Sequence, residues 1–218
     1  MSIENEKTIE VYQEKARKYL ENNIKHDLLD KEKAKRKKER LQKFIREIFS
    51  SLPKGSKIME IGAANGENAK YISSLGFKVT ASDISDDFLK EIKSNGLEPI
   101  KFNLLEDEFH EKYSGIFCWR VFVHFTKEDA LKAMKKTYNA LEKNGIFIFN
   151  AINRQTREVE SEWVDFPDEH HMGINRYYNY YYKEDLDKLI AETDYKIIDF
   201  HTEGGEDNNK WLVYVLKK

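Results

Sequence analysis

The stretch KIMEIGAANGENAKYISSLGFKVTASD, Lys57 to Asp83, decides how this chain is read. An apolar run carries an acid, Glu60, near its end. A turn bearing Gly62 and Gly66 follows, then a helical segment, then a second apolar run closed by Asp83. Gly62 can take a backbone conformation closed to other residues and lets a ligand approach the main chain. Gly66 allows tight entry into the helix ENAKYI, whose first amides carry partial positive charge and favour an anion. Glu60 favours an ammonium. Asp83 comes about 20 residues after Gly62, where an acid can accept two hydrogen bonds from a ribose diol. A ligand with an amino acid at one end and a nucleoside at the other matches this layout.

Working outward, short apolar runs recur at KIMEI, FKVTAS, EPIKF, GIFCWR and GIFIFN, separated by the helical stretches ENAKYISSL, DDFLKEIKSN and KEDALKAMKKTYNALEKN. Alternating strand and helix predicts a parallel sheet with helices on both faces. Runs as continuously apolar as GIFIFN suit strands buried on both sides. A further helix, KEDLDKLIAETD, precedes YKIIDFHTE and KWLVYVLK, which flank the turn-rich GGEDNN and read as an antiparallel hairpin. The expectation is a seven-stranded, mostly parallel α/β sheet of Rossmann-like type, with a C-terminal antiparallel hairpin. Two helices come first. KTIEVYQEKARKYLENN places Ile9, Tyr12, Ala16, Tyr19 and Leu20 at helical spacing. The second ends with Leu41, Phe44, Ile45 and Ile48 on one face. We expect residues 1–54 to form an N-terminal helical lid on a domain of residues 55–218.

Composition narrows the classes. The chain has 218 residues, 35% charged and 40% hydrophobic, with a formal net charge of −2, so no global pull toward nucleic acid or an anionic membrane is expected. No apolar run of about 18 residues is present, so no membrane span is expected. The N-terminus is polar rather than secretory in character. The single cysteine, Cys118, excludes an internal disulfide framework and fits a reducing cytoplasm.

Dinucleotide enzymes space their glycines G-x-G-x-x-G. Here the order is Gly62-Ala63-Ala64-Asn65-Gly66, which points away from a nicotinamide cofactor. The sequence instead resembles the class I S-adenosylmethionine-dependent methyltransferases of small-molecule type. EIGAANG is similar to their first motif, with Ala64 replacing one glycine. VTASDIS, holding Asp83 and Ile84, is similar to the second, whose acid holds the ribose. IKFNLLED places Asn103 and Leu104 where the family has an acid near adenine. YSGIFCWRVFVHFT is similar to the fourth motif, with Ser114 at the usual aspartate. The resemblance covers about Lys57 to Lys218 and implies S-adenosylmethionine as cofactor and S-adenosylhomocysteine as product. It implies cofactor contacts from Glu60, Gly62, Ala63, Gly66, Asp83, Ile84, Asn103 and Leu104, from the backbone at Cys118, and from Arg120. Tyr12 and Tyr19 lie two turns apart on one helix face; they either close over the ligands or dock the helix.

Trp119 is either core packing or part of the acceptor wall. Arg120, in an otherwise apolar run, needs a carboxylate or carbonyl partner. His124 is either a structural histidine bonded to nearby backbone or a catalytic proton carrier. The segment 151–182 is long for a connection, and the resemblance implies that this region, after the fifth strand, is an acceptor-site insertion. It offers Trp163, Phe166, Tyr177, Tyr178, Tyr180, Tyr181 and Tyr182 as walls, with Asp165, His170 and His171 as bases. A metal held by His170 and His171 with Asp168 or Glu169 is not expected, since adjacent ligands rarely reach one ion together. The basic run KEKAKRKKER is interspersed with acids and reads as a solvated helix face.

The reading is a cytoplasmic enzyme that methylates an oxygen or nitrogen of a small metabolite, without nucleic-acid or membrane partners. The alternatives are an RNA or protein methyltransferase using the basic helix, a non-catalytic module binding S-adenosylmethionine, and a nucleotide-binding oxidoreductase.

Overall fold

The structure, a computed structural model, describes residues 1–165, 175–205 and 207–218. The chain opens with α1 (Ile3–Leu29) and α2 (Lys31–Phe49). It then alternates through β1 (Lys57–Ile61), α3 (Glu67–Ser74), β2 (Lys78–Asp83), α4 (Asp86–Ser94), β3 (Pro99–Lys101) and β4 (Tyr113–Cys118). After a 3₁₀ turn at Phe122–His124 come α5 (Lys127–Ala140), β5 (Leu141–Asn153), β6 (Ser161–Asp165) and β7 (Asn175–Tyr181). The chain closes with α6 (Lys183–Ala191), β8 (Lys196–Glu203) and β9 (Trp211–Lys217).

Strands β3-β2-β1-β4-β5 lie side by side and parallel, and the antiparallel β9 continues the sheet from β5 to β8. The order reverses beside β1, so the crevice at its C-terminal end, between the loops after β1 and β4, is the position where open α/β sheets bind ligands. The expected Rossmann-like sheet and C-terminal hairpin are therefore present.

The strand count differs from the expected seven. Nine strands are formed among the described residues. The two additions, β6 and β7, pair antiparallel with each other inside the segment read as an insertion, and β7 also pairs with the last residues of β5, Ile152 with Tyr180 and Asn153 with Tyr181. The pattern hid them because Arg176 to Tyr181 are all buried, with no alternation to read. Helix α1 covers them, and Thr8 Oγ1 accepts the Tyr177 amide at 3.0 Å. The tyrosine-rich composition was itself a strand signal.

One face of the sheet packs against α2 and α3 through Ile45, Phe49, Ile58, Ile72, Phe117, Ile146, Ile148 and Val215. The other, larger core holds Met59, Ile61, Ile116, Phe147 and Phe149 against α5 and α6. Helix α2 thus enters the core through its second half. Its approach is close: a Cβ on Gly115 of β4 would lie 2.7 Å from Ile58 Cδ1 and 3.0 Å from Phe49 Cε1. The basic first half of α2 is largely exposed, with Lys38 paired to Glu67 and Arg40 to Glu203. Among the described residues no helix is long and apolar enough to cross a membrane.

Because Phe49 is fully buried and its ring meets Phe77 at 6.0 Å, Phe49→Ala is expected to cost about 3–5 kcal/mol in urea unfolding. The exposed Leu28 of α1 should tolerate alanine within about 0.5 kcal/mol. Equal losses at the two sites would contradict the assignment of α2 to the core.

Candidate functional site

The turn after β1 is built on left-handed backbone. Gly62, Ala64 and Gly66 have φ of 72°, 49° and 75°. Glycine takes this freely, whereas Ala64 does so at a cost that surrounding structure must offset. The offset is visible: the Ala64 amide donates to Asp83 Oδ2 at 2.9 Å. The other oxygen, Oδ1, accepts from the Ser85 amide at 3.1 Å. Asp83 therefore ties the turn after β1 to the turn after β2. The Ile84 amide also bears on this carboxylate, and the acceptor capacity that remains is open to a ligand. Gly62 is exposed, Ala63 and Gly66 are buried, and Ile84 is half-buried. A Cβ on Gly62 would lie 2.5 Å from Val121 Cγ2, so the loops after β1 and β4 meet there. A valine at position 62 would first strike Val121, and is no clean block of a ligand.

Glu60 is 1% exposed. Its Oε1 accepts from Asn68 Nδ2 at 3.2 Å, while Oε2 has no hydrogen-bond partner. Burial pushes its pKa up to about 8 against the Asn68 and Ala69 hydrogen bonds, and the Asp83 charge adds to the rise. Asp83, 4% exposed, is likewise raised by burial to about 6, opposed by its backbone donors. The two buried acids beside the glycine turn form a cradle in which Asp83 carries the negative charge at neutral pH and Glu60 holds a proton that a bound cation would displace, with one Glu60 oxygen lacking a donor.

Around this cradle, Leu104 and Cys118 are core residues, and burial pushes the Cys118 thiol up. Asn103 bends the chain after β3: its Oδ1 accepts the Leu105 amide at 3.0 Å, and its Nδ2 reaches Met1 Sδ at 3.7 Å. Trp119 stacks on Phe117 at 5.4 Å and meets Phe44 of α2 at 6.1 Å, on the α2 side of the sheet. Arg120 lies beyond the end of β4, exposed and at φ 62°, so it is not the buried cation its apolar neighbours suggested. Its amide donates to Asn150 Oδ1 at 2.6 Å, and its guanidinium sits 5.2 Å from the centre of the Trp211 ring.

Helix α1 packs against α4, the 3₁₀ turn after β4, and β7. Arg176 of β7, 2% exposed, donates to the Tyr12 hydroxyl at 2.6 Å. That hydroxyl lies 3.0 Å from His124 Nε2, and His124 Nδ1 lies 2.7 Å from the Tyr177 carbonyl oxygen. A carbonyl only accepts, so Nδ1 carries the proton and Nε2 accepts from Tyr12. Burial, then the Arg176 charge, lowers the His124 pKa to about 3. His124 is thus a neutral imidazole with both nitrogens engaged, bonded to backbone as one of its two sequence readings held. Tyr19 packs edge-on against Tyr12 and Phe88, and the Arg176 guanidinium faces the rings of Tyr12, Tyr19 and Tyr178.

Trp163 on β6 is 40% exposed, with its ring 5.8 Å from that of Tyr177. Asp165 closes β6 opposite Asn175. Tyr177 and Tyr178 are buried, the latter among Val123, Ile152 and Tyr180. Phe166, Asp168, Glu169, His170 and His171 lie outside the described residues. Sequence reasoning missed Arg176 and Asn150. Their signal was a charge or amide set among aromatic or apolar neighbours, in NRYYNYY and GIFIFN.

Comparison with known proteins agrees with this fold. Residues 33–199 match the family model described as "Methyltransferase domain". The "Putative methyltransferase YqeM" of Bacillus subtilis is 27% identical over 113 residues, covering 47% of this chain and 45% of that protein. The chain therefore matches less than half of that relative's length. Among solved structures, a SAM-dependent methyltransferase from Methanosarcina mazei superposes with TM-score 0.67 at 16% identity, covering 78% of this chain and 96% of that one. One from Clostridium acetobutylicum gives 0.64 at 17% identity, covering 81% and 89%. The magnesium protoporphyrin IX methyltransferase of Synechocystis, solved with bound SAH, gives 0.63 at 14% identity, covering 82% of each chain. At such identities these likenesses speak to the fold.

The pKa values set a pH dependence. Glu60 binds its proton up to about pH 8 when folded, against an ordinary 4.5, so stability falls as pH rises through that window. Asp83 acts the same way between 3.8 and about 6. His124, at about 3 against 6.5, acts oppositely below pH 6.5. Of these three, Glu60 acts alone between pH 6.5 and 8. Urea unfolding should show a loss of about 1–2 kcal/mol across that interval, and Glu60→Gln should flatten it. Parallel profiles for the two proteins would show that Glu60 ionises freely.

Proposed function

The chain belongs to the methyltransferase-domain family; on that premise we propose that it is an S-adenosylmethionine-dependent enzyme that methylates an oxygen or nitrogen of a small metabolite, with the crevice between Glu60, Gly62 and Asp83 as its donor site. The observation that carries the donor site is the buried Glu60 Oε2 without a hydrogen-bond donor. The amino end of S-adenosylmethionine is an ammonium, the partner that such an oxygen lacks. The exposed main chain at Gly62 admits close approach, and Asp83 retains acceptor sites for a ribose diol.

When bound, the cofactor supplies a methyl group on a positively charged sulfonium, whose C–S bond breaks with its electron pair staying on sulfur as the acceptor's oxygen or nitrogen bonds to carbon. The chain's own task is then chiefly to hold the partners in line and dry. The Gly62–Gly66 turn and Asp83 hold the nucleoside end, Asn103 and Leu104 border the base, and Glu60 with the backbone near Cys118 holds the amino-acid end. Helix α1 covers the crevice through Tyr12 and Tyr19. His124 positions that cover rather than moving protons, because its Nε2 is taken by Tyr12 and its neighbours keep it neutral. Residues 1–54 thus combine a lid, α1, with a helix rooted in the core, α2. The segment 151–182, with Trp163, Tyr177 and Tyr178, forms the acceptor side. A reducing, cytoplasmic setting fits the buried free thiol of Cys118.

Glu60→Gln is the direct test, because glutamine keeps an acceptor for Asn68 while removing the charge. S-adenosylhomocysteine should bind it roughly tenfold to a hundredfold more weakly by calorimetry, in keeping with a charged hydrogen bond of about 1.5–3 kcal/mol. Its stability without ligand at pH 8 should be at least that of the unaltered protein. Asp83→Asn should weaken binding too, by about 1–3 kcal/mol, while also loosening the turn. Undiminished affinity in Glu60→Gln would remove Glu60 from the donor site.

A further inference from the structure

A second polar cavity, about 260 Å³ in volume, lies between the turn after β5 and the β8–β9 connection, lined by Thr156, Arg157, Gly205, Asp207, Asn209 and Lys210. Its frame is hydrogen-bonded main chain. The Asn153 amide donates to the Lys210 carbonyl at 2.9 Å, Asn153 Nδ2 to the Asn209 carbonyl at 2.9 Å, and the Lys210 amide to the Gly204 carbonyl at 2.9 Å. Positive charge gathers on this frame. The Arg157 guanidinium stands over the Tyr180 ring at 5.3 Å, and its Nε is buried with no hydrogen-bond partner. Lys210 is half-buried; burial, then the charges of Arg157 and Arg120, hold its pKa below the ordinary value. Asp207 is the acid among the described lining residues.

The cavity is on the same edge of the sheet as the donor crevice. Strand β9 is antiparallel to β5, so its first residue, Trp211, lies opposite Ile152 near the C-terminal end of β5. Arg120, two residues past the end of β4, lays its guanidinium over that same Trp211. Since Trp211 directly follows Lys210, Arg120 stands beside the cavity on its β4 side.

We propose that the methyl acceptor is an anion, a small molecule bearing a carboxylate or phosphate that Arg157 and Lys210 bind in this cavity, with Arg120 facing the donor side. A guanidinium presents a planar fork suited to either group, and a lysine adds a compact charge. An anion would give the buried Arg157 Nε its acceptor and relieve the repulsion among the three cations. The anionic group is the handle by which the acceptor is held, and the methylated atom lies toward the crevice. This assignment rests on the methyl-transfer reading above.

Inorganic phosphate and succinate, titrated separately into the full chain and followed by heteronuclear NMR, test it. At least one should bind saturably, and which one does identifies the headgroup. Arg157→Gln with Lys210→Gln should weaken that binding at least tenfold, and Lys210→Arg should retain it. S-adenosylhomocysteine affinity, measured on the same samples, should stay within about twofold in every variant, which also reports that they fold. With labelled S-adenosylmethionine, the anionic fraction of a metabolite extract should accept methyl groups, with a raised KM in the double variant. No saturable anion binding, binding unchanged in the double variant, or methylation confined to neutral and cationic fractions would overturn the proposal. Failure of the unaltered protein to bind S-adenosylhomocysteine would instead overturn the donor-site reading, whatever the anions do.

Discussion

The carboxylate of Asp83 holds the amides of Ala64 and Ser85, one on each oxygen. On that pair of hydrogen bonds the geometry of the crevice depends. Parallel strands bring β1 and β2 side by side, but they do not by themselves fix how the loops beyond them sit. Asp83 fixes both loops at once, and it holds Ala64 in a left-handed conformation that a side-chain-bearing residue adopts at a cost. Strain balanced by a buried acid at a strand end is a feature of sites rather than of connections. Hydrogen bonds to a charged acceptor are strong enough to offset it.

The docking of α1 is polar. A chain of hydrogen bonds runs from Arg176 through Tyr12 and His124 to the Tyr177 carbonyl, joining α1, the 3₁₀ turn and β7. Each member polarises the next, and the buried guanidinium further faces three tyrosine rings. Such a network specifies one docking geometry more strictly than apolar contact would. It also explains why His124 stays neutral: a proton on Nε2 would displace the Tyr12 donor and face the Arg176 charge.

Much of this was legible in the sequence, for identifiable reasons. The alternation from Lys57 to Asn150 announced the parallel sheet because its strands are buried on both faces and its helices on one. Glu60, Gly62 and Asp83 were legible because strand ends and a glycine turn bring them together through local geometry. What stayed hidden depends on contacts distant in sequence. Strand β7 lacks alternation because α1, more than a hundred residues earlier, covers it. The surroundings of Arg120 depended on Trp211, and those of Asn103 on Met1. The cationic cavity joins the turn after β5 to the connection between β8 and β9, which no spacing rule connects.

The most direct measurement of the central claim is a crystal structure with S-adenosylhomocysteine bound. Its ribose should lie against Asp83, its chain should pass the exposed backbone of Gly62, and its ammonium should sit within hydrogen-bond distance of Glu60 Oε2. A nucleoside lodged elsewhere, with Glu60 Oε2 still lacking a donor, would contradict it.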